Sequence, residues 1–212
     1  ELKEKGVSTL KPRKIWFDET VQKLNVDGRG ELLGEFRGED KILVVSQKGV
    51  LKIIPPELTT HFNDDMIVLE KWLPKKPISA IYFDGKKEKY FAKRFLIENE
   101  NKEEVFISNK KGSFLELVST DWKPVFEIVF SKLRNKDQRP SQRIVFDEFI
   151  TVKGIKAQGN QLTTHKVKQV NILEPIEFIP SIEKPAIEIE EVNNQDINNN
   201  ENEPGSTQVT LF

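Results

Sequence analysis

The chain contains no cysteine. That excludes disulfides and thiolate metal sites and fits a cytoplasmic protein. Histidine is nearly absent too. His61 and His165 lie far apart, outside any ligand-spaced cluster, and each reads as a loop or strand-edge residue. Long hydrophobic runs are missing. "ILVV" at Ile42 to Val45 is strand-sized, so no segment is long enough to span a membrane. The opening "ELKEKGVSTLKPRK" has no apolar run behind its charges and is no signal peptide. Without an initiator Met, it reads as the start of a piece cut from a longer protein. There is no phosphate loop, nucleophile elbow or cysteine nucleophile. Asp64 and Asp65 read as a loop or cap rather than as an acid/base or Mg²⁺ pair. Tyr82 and Tyr90 read as sheet packing. A stand-alone enzyme has no catalytic cluster to rest on.

What the chain has is charge, unevenly placed. Its 33 basic and 34 acidic residues nearly cancel. Yet residues 171–212 hold nine acids and a single base, Lys184, which leaves 32 bases against 25 acids in residues 1–170. A basic body with an acidic tail points to a polyanionic partner for the body. A solvated lysine-rich surface is the plain alternative.

The 212 residues suit one large β domain or two small ones. One phrase recurs: an apolar strand, a short polar turn bearing Gly, and a second apolar strand. Residues 40–54 turn at "SQKG", 78–98 at "DGKKE" and 103–118 at "SNKKG"; residues 13–26 fit less cleanly. Residues 146–170 begin as a strand, turn over through Gly154 and Gly159, and end as a strand. A helical turn fits only residues 56–73, with Thr60 or Asn63 as its cap. Hairpins at this regular spacing predict an all-β fold, a β-propeller or β-pinwheel-like repeat of hairpin-built blades. The turns at Gln47 and Lys48, Lys86 and Lys87, and Lys110 and Lys111 are then expected at equivalent places along one rim.

Phosphates need positive charge spread along a path. Lys48, Lys52, Lys86, Lys87, Lys89, Lys110, Lys111, Lys153, Lys156 and Lys166 are the candidates for contacting a phosphate backbone. Any one of them could simply blunt a strand edge; their recurrence is what points to a rim. Gly154 and Gly159 permit left-handed or bulged backbone, so another chain, such as a phosphate backbone, can approach closely.

The stretches "LNVDGRGELLGEFRGEDKILVVSQKGVLKI", "MIVLEKWLPKKPISAIYFDGKKEKYFAKRFLIE" and "FITVKGIKAQGNQLTTHKVKQVNILEP" together resemble the C-terminal domain of the A subunit of bacterial type IIA topoisomerases. The resemblance runs from about Lys14 to Pro175. It implies a β-pinwheel with fewer than six blades and a basic rim around which DNA bends. The domain would guide the duplex segment passed through the break in decatenation or relaxation, in the bacterial cytoplasm at the nucleoid. It implies as partners the ATPase B subunit together with the remainder of the A subunit. The cleavage tyrosine, Mg²⁺ site and ATP site belong elsewhere in the holoenzyme, so no cofactor is expected here. Gyrase carries a box of the form Gln-basic-basic-Gly-Gly-basic-Gly. "KGIKAQGNQ", from Lys153 to Gln161, keeps two glycines and two lysines but loses the double glycine and the basic pair. That departure resembles the DNA topoisomerase IV branch of the family.

The expected organisation is a linker at 1–13, a pinwheel at 14–175, an extended proline-rich acidic segment at 176–191, and a disordered acidic tail at 192–212. The tail ends "QVTLF", which resembles the bacterial sliding-clamp peptide. Gln208 would set the register, and Leu211 and Phe212 would enter an apolar pocket. The rival reading is a propeller scaffold for protein partners without DNA binding, with Trp16, Trp72 and Trp122 as exposed hot spots.

Overall fold

A computed structural model describes residues 11–132 and 138–178. The expected tail at 192–212, with Gln208, Leu211 and Phe212, lies outside the described residues, as does most of the 1–13 and 176–191 segments. The described chain is almost entirely antiparallel β. Its strands are β1 (Arg13–Asp18), β2 (Lys23–Asn25), β3 (Glu31–Phe36), β4 (Ile42–Ser46), β5 (Val50–Ile54), β6 (Met66–Lys71), β7 (Ile78–Asp84), β8 (Lys89–Phe95), β9 (Glu104–Val105), β10 (Phe114–Ser119), β11 (Val125–Phe130), β12 (Gln142–Val145), β13 (Asn160–Gln161) and β14 (Val167–Leu173). One helical turn, α1 (Phe146–Phe149), interrupts them.

The strands form four sheets, ordered β2-β1-β3, β6-β4-β5-β9, β10-β7-β8-β13 and β12-β11-β14. Each is a pinwheel-like blade built by one rule. A hairpin supplies two central strands, and a later strand of the same repeat pairs with the first of them. The free edge of the hairpin's second strand is covered by a segment from the next repeat. β9 covers β5, β13 covers β8, and a bridge from His61 to Lys23 covers β2. An unpaired edge is a row of unsatisfied N–H and C=O groups, so the exchange covers the edges of the first three blades.

Each exchanged segment is anchored by a backbone hydrogen bond. The N–H of Phe62 donates to the Gln22 carbonyl at 3.0 Å, that of Phe106 to Gly49 at 2.9 Å, and that of Leu162 to Tyr90 at 2.8 Å. Those three apolar side chains are buried in the three cores that lie between consecutive blades. β4 shows why its sequence does not alternate. Ile42 and Val44 face the core shared with the first blade, while Leu43 and Val45 face the core shared with the third. A strand buried on both faces reads as a continuous apolar run.

Four sequence expectations are corrected. Residues 56–73 hold a turn and β6 but no helix. The helical turn sits at 146–149, where a strand was expected. Phe146 is fully buried there against Phe126, so packing overrides the β-like composition of "FDEFI". Residues 103–118 are not a hairpin, because β9 pairs with β5 and β10 with β7. The turn of Lys110 and Lys111 is therefore not equivalent to the hairpin turns of Lys48 and of Lys86 and Lys87.

Candidate nucleic-acid interface

The hairpin turns are set by local chemistry. Gln22, Gly49 and Glu88 all have positive φ, at 54°, 69° and 52°, just before the second strand of their hairpins. This is the left-handed residue that closes a tight hairpin loop. In the third blade, Asp84 Oδ1 accepts the N–H groups of Lys86 and Lys87, each at 3.0 Å. Burial alone would raise the Asp84 carboxyl. The N–H groups of Lys87 and Lys86, the Ser108 hydroxyl and the Lys87 charge together hold it below the ordinary value. The turn is thus fixed from beneath while its two lysines project into solvent.

Each hairpin turn lies against the turn that leads into the third strand of its own blade. In the second blade the Gln47 N–H donates to the Asp65 carbonyl at 2.8 Å. In the third, the Gly85 N–H donates to Ser113 Oγ at 2.9 Å. In the fourth, the Ser131 N–H donates to the Lys166 carbonyl at 2.9 Å. Gly85 makes the third-blade contact possible, since a Cβ there would stand 2.2 Å from the Lys111 carbonyl oxygen. Lys110 and Lys111 therefore sit beside Lys86 and Lys87 by packing rather than by repetition. Lys48 and Lys110 line one shallow groove between the second and third blades. Lys89 and Lys166 line another, between the third and fourth.

The result is a band of cations at one end of three successive blades. Lys86, Lys87, Lys89, Lys110, Lys111 and Lys166 are exposed, and none is ion-paired among the described residues. Lys48 is also exposed but pairs with Asp65 at 3.2 Å. The first blade's equivalent turn, 19–22, carries no lysine. Lys52 lies half-buried on β5, in a groove it shares with Lys48, Asp65 and Glu103.

The box-like segment runs along the outer edge of the third blade. The Lys153 N–H donates to the Arg94 carbonyl at 2.8 Å, at the end of β8 far from the lysine turns. Six strand steps separate Lys89 from Phe95, about 20 Å. From there the segment returns towards the band. Lys153 Nζ donates to Asn160 Oδ1 at 2.9 Å, and Lys87 Nζ to Gln158 Oε1 at 2.6 Å. The Tyr82 hydroxyl donates to the Gln158 carbonyl at 2.8 Å; burial, then the Asp84 charge, pushes its pKa up to about 12.

The two glycines part company. Gly159 has φ +88°, and a Cβ there would meet the Ala92 carbonyl oxygen at 2.0 Å, so the chain it approaches closely is its own β8. Gly154 has no positive φ, and its Cβ would meet only Glu98 Oε1 at 3.5 Å. Lys156 is exposed beside them.

Sequence reasoning missed Lys93. It is a buried lysine on β8 whose Nζ donates to the carbonyls of Phe106 and Ile155, tying two exchanged segments to the third blade. Burial pushes its pKa down to about 8. Only its place between apolar Ala92 and Phe95 in an otherwise buried strand could have signalled this. Among the described residues, no cluster of His, Asp or Glu could hold a metal ion, and no helix is long and apolar enough to cross a membrane. None of the tryptophans is exposed. Trp16 is half-buried, Trp72 packs on the second-to-third blade core, and Trp122 packs against the tilted ring of Phe178.

No curated protein matches the chain. A family model described as the topoisomerase C-terminal domain of Bacteroidota matches residues 23–174, from β2 through β14. With that match over most of its length and this blade architecture, the chain belongs to the topoisomerase C-terminal domain family of Bacteroidota.

Proposed function

We propose that this chain is the DNA-bending domain of a type IIA topoisomerase A subunit, of the topoisomerase IV kind. It binds duplex DNA and guides the transported segment, while the rest of the A subunit, with an ATPase B subunit, carries out ATP- and Mg²⁺-dependent decatenation or relaxation. The observation that carries the reading is the band of lysine turns on three consecutive blades. Such a band neutralises a run of phosphates without reading bases. Trp16, Trp72 and Trp122, the hot spots that the protein-scaffold reading would use, are not exposed.

The test is fluorescence anisotropy of the chain with a random duplex of about 40 base pairs across a salt series. If Lys86, Lys87, Lys110, Lys111 and Lys166 each meet a phosphate, log K falls against log salt with a slope of about −4.5, with little sequence preference. Absence of binding at low salt rejects the reading and leaves the scaffold alternative. The terminal Gln208, Leu211 and Phe212 extend the proposal to the replication sliding clamp. Deleting residues 208–212 abolishes clamp retention in a pull-down, and unchanged retention removes that partner.

A further inference from the structure

Across the lysine-bearing end of the third blade runs a row of three aromatic rings. Phe114 on β10 pairs in register with Phe83 on β7, which pairs with Tyr90 on β8. Phe83 and Phe114 are stacked with centroids 5.3 Å apart, and Tyr90 meets Phe83 edge-on at 5.1 Å. The row forms one wall of a groove of about 550 Å³. Its other wall is the turn 163–167 of the fourth blade. Phe114 is 45% exposed.

This is not a by-product of blade repetition. The matching row in the second blade, one pair before its hairpin turn, is Val68, Val45 and Leu51. That row is aliphatic and packs into the core shared with the third blade. In the third blade the same positions are aromatic, and the fourth blade leaves one of the rings open. The groove's charged lining is Lys89 and Lys166, with Glu88 as its single acid and His165 beside them. Phe114 also lines the groove of Lys48 and Lys110 between the second and third blades.

We propose that this groove takes an unpaired nucleobase of DNA, stacked on Phe114, with Lys89 and Lys166 on the flanking phosphates. The inference rests on the DNA-binding reading and adds to it a preference for gapped or locally melted strands. An exposed ring flanked by cations matches the way single strands are held. Every base offers a π-face, and the backbone supplies the charge. A closed duplex presents base edges and hides the faces. Glu88 can accept a hydrogen bond from a base amino group, as carboxylates do from cytosine. The volume falls in the range of small-ligand sites.

The experiment compares the full chain on three DNAs of about 40 base pairs: intact duplex, the same duplex with a central nick, and the same with a gap of about three thymines. The nick controls for bending flexibility. The expected result is about tenfold tighter binding to the gapped DNA than to the nicked one, the size of one base–aromatic stack. Phe114→Ala removes that preference and leaves duplex affinity within about twofold, and Phe114→Trp keeps it. Circular dichroism confirms that each variant is folded. Equal binding of gapped and nicked DNA by the wild type overturns the inference while the duplex reading stands. So does a Phe114→Ala loss that is equal on all three DNAs, which would mean a wedge into duplex steps. Failure to bind any of the three removes both readings.

Discussion

Lys93 offers the sharpest test of how the blades are joined. Its ammonium lies between two carbonyls from different exchanged segments, those of Phe106 and Ile155, and is almost wholly buried. With a folded pKa of about 8 and an unfolded one of about 10.5, the folded protein releases this proton first. Between those values the unfolded chain binds more protons, so the Lys93 contribution to stability rises with pH. Integrated from pH 7.5 to 9.5, the gain is about 2 kcal/mol. Tyr82 acts in the opposite sense, but only above pH 10, because its folded pKa is raised. Lys93→Met keeps the length of the side chain and removes the titration. At neutral pH the variant gains by not burying a charge and loses because two carbonyls lack a donor, about 1–3 kcal/mol each. Its absolute stability is therefore a poor readout, and the pH slope is the informative one. Urea unfolding of both proteins should show the wild type gaining about 2 kcal/mol on the variant over that window. A flat difference would mean that the two carbonyls offset burial and the ammonium titrates normally. A falling difference would refute the placement of Lys93.

Other changes test other joints. Gly159→Ala forces a left-handed alanine against the Ala92 carbonyl and should destabilise by about 2–4 kcal/mol in denaturant unfolding, with β13 detaching from β8. Gly154→Ala, whose Cβ would make only an ordinary contact with Glu98 Oε1, should change stability by less than about 0.5 kcal/mol. Reversing Lys110 and Lys111 to Glu should weaken duplex binding evenly across sequences and flatten the salt slope by about 2 units. Lys48→Ala should cost less than Lys86→Ala in the same anisotropy assay, because Asp65 already offsets the Lys48 charge. Removing residues 179–212, with most of the acidic tail, should tighten duplex binding, and an unchanged Kd would exclude competition by the tail. Cutting after Phe178 keeps the Trp122–Phe178 contact and the hydrogen bond from Ile176 N–H to the Lys123 carbonyl.

The sequence by itself determined three hairpins, β1–β2, β4–β5 and β7–β8. Short polar turns with a left-handed position at Gln22, Gly49 and Glu88 are local, and β4 and β5 fell where the apolar runs placed them. It also determined the all-β class and the cationic turns, since both follow from residues close together in the chain. The partners of β9 and β13 were decided only in three dimensions. Two-residue strands carry too little pattern to specify a neighbour, and the neighbour lies in another repeat. That exchange split the expected hairpin at 103–118 and set Lys110 and Lys111 beside Lys86 and Lys87 through Gly85. The same packing buried Lys93 as a cross-link and opened the aromatic row of Phe114, Phe83 and Tyr90 to a groove. A lysine or a phenylalanine reads alike in sequence whether it faces solvent or a core. Only the stacking of one blade on the next decides which.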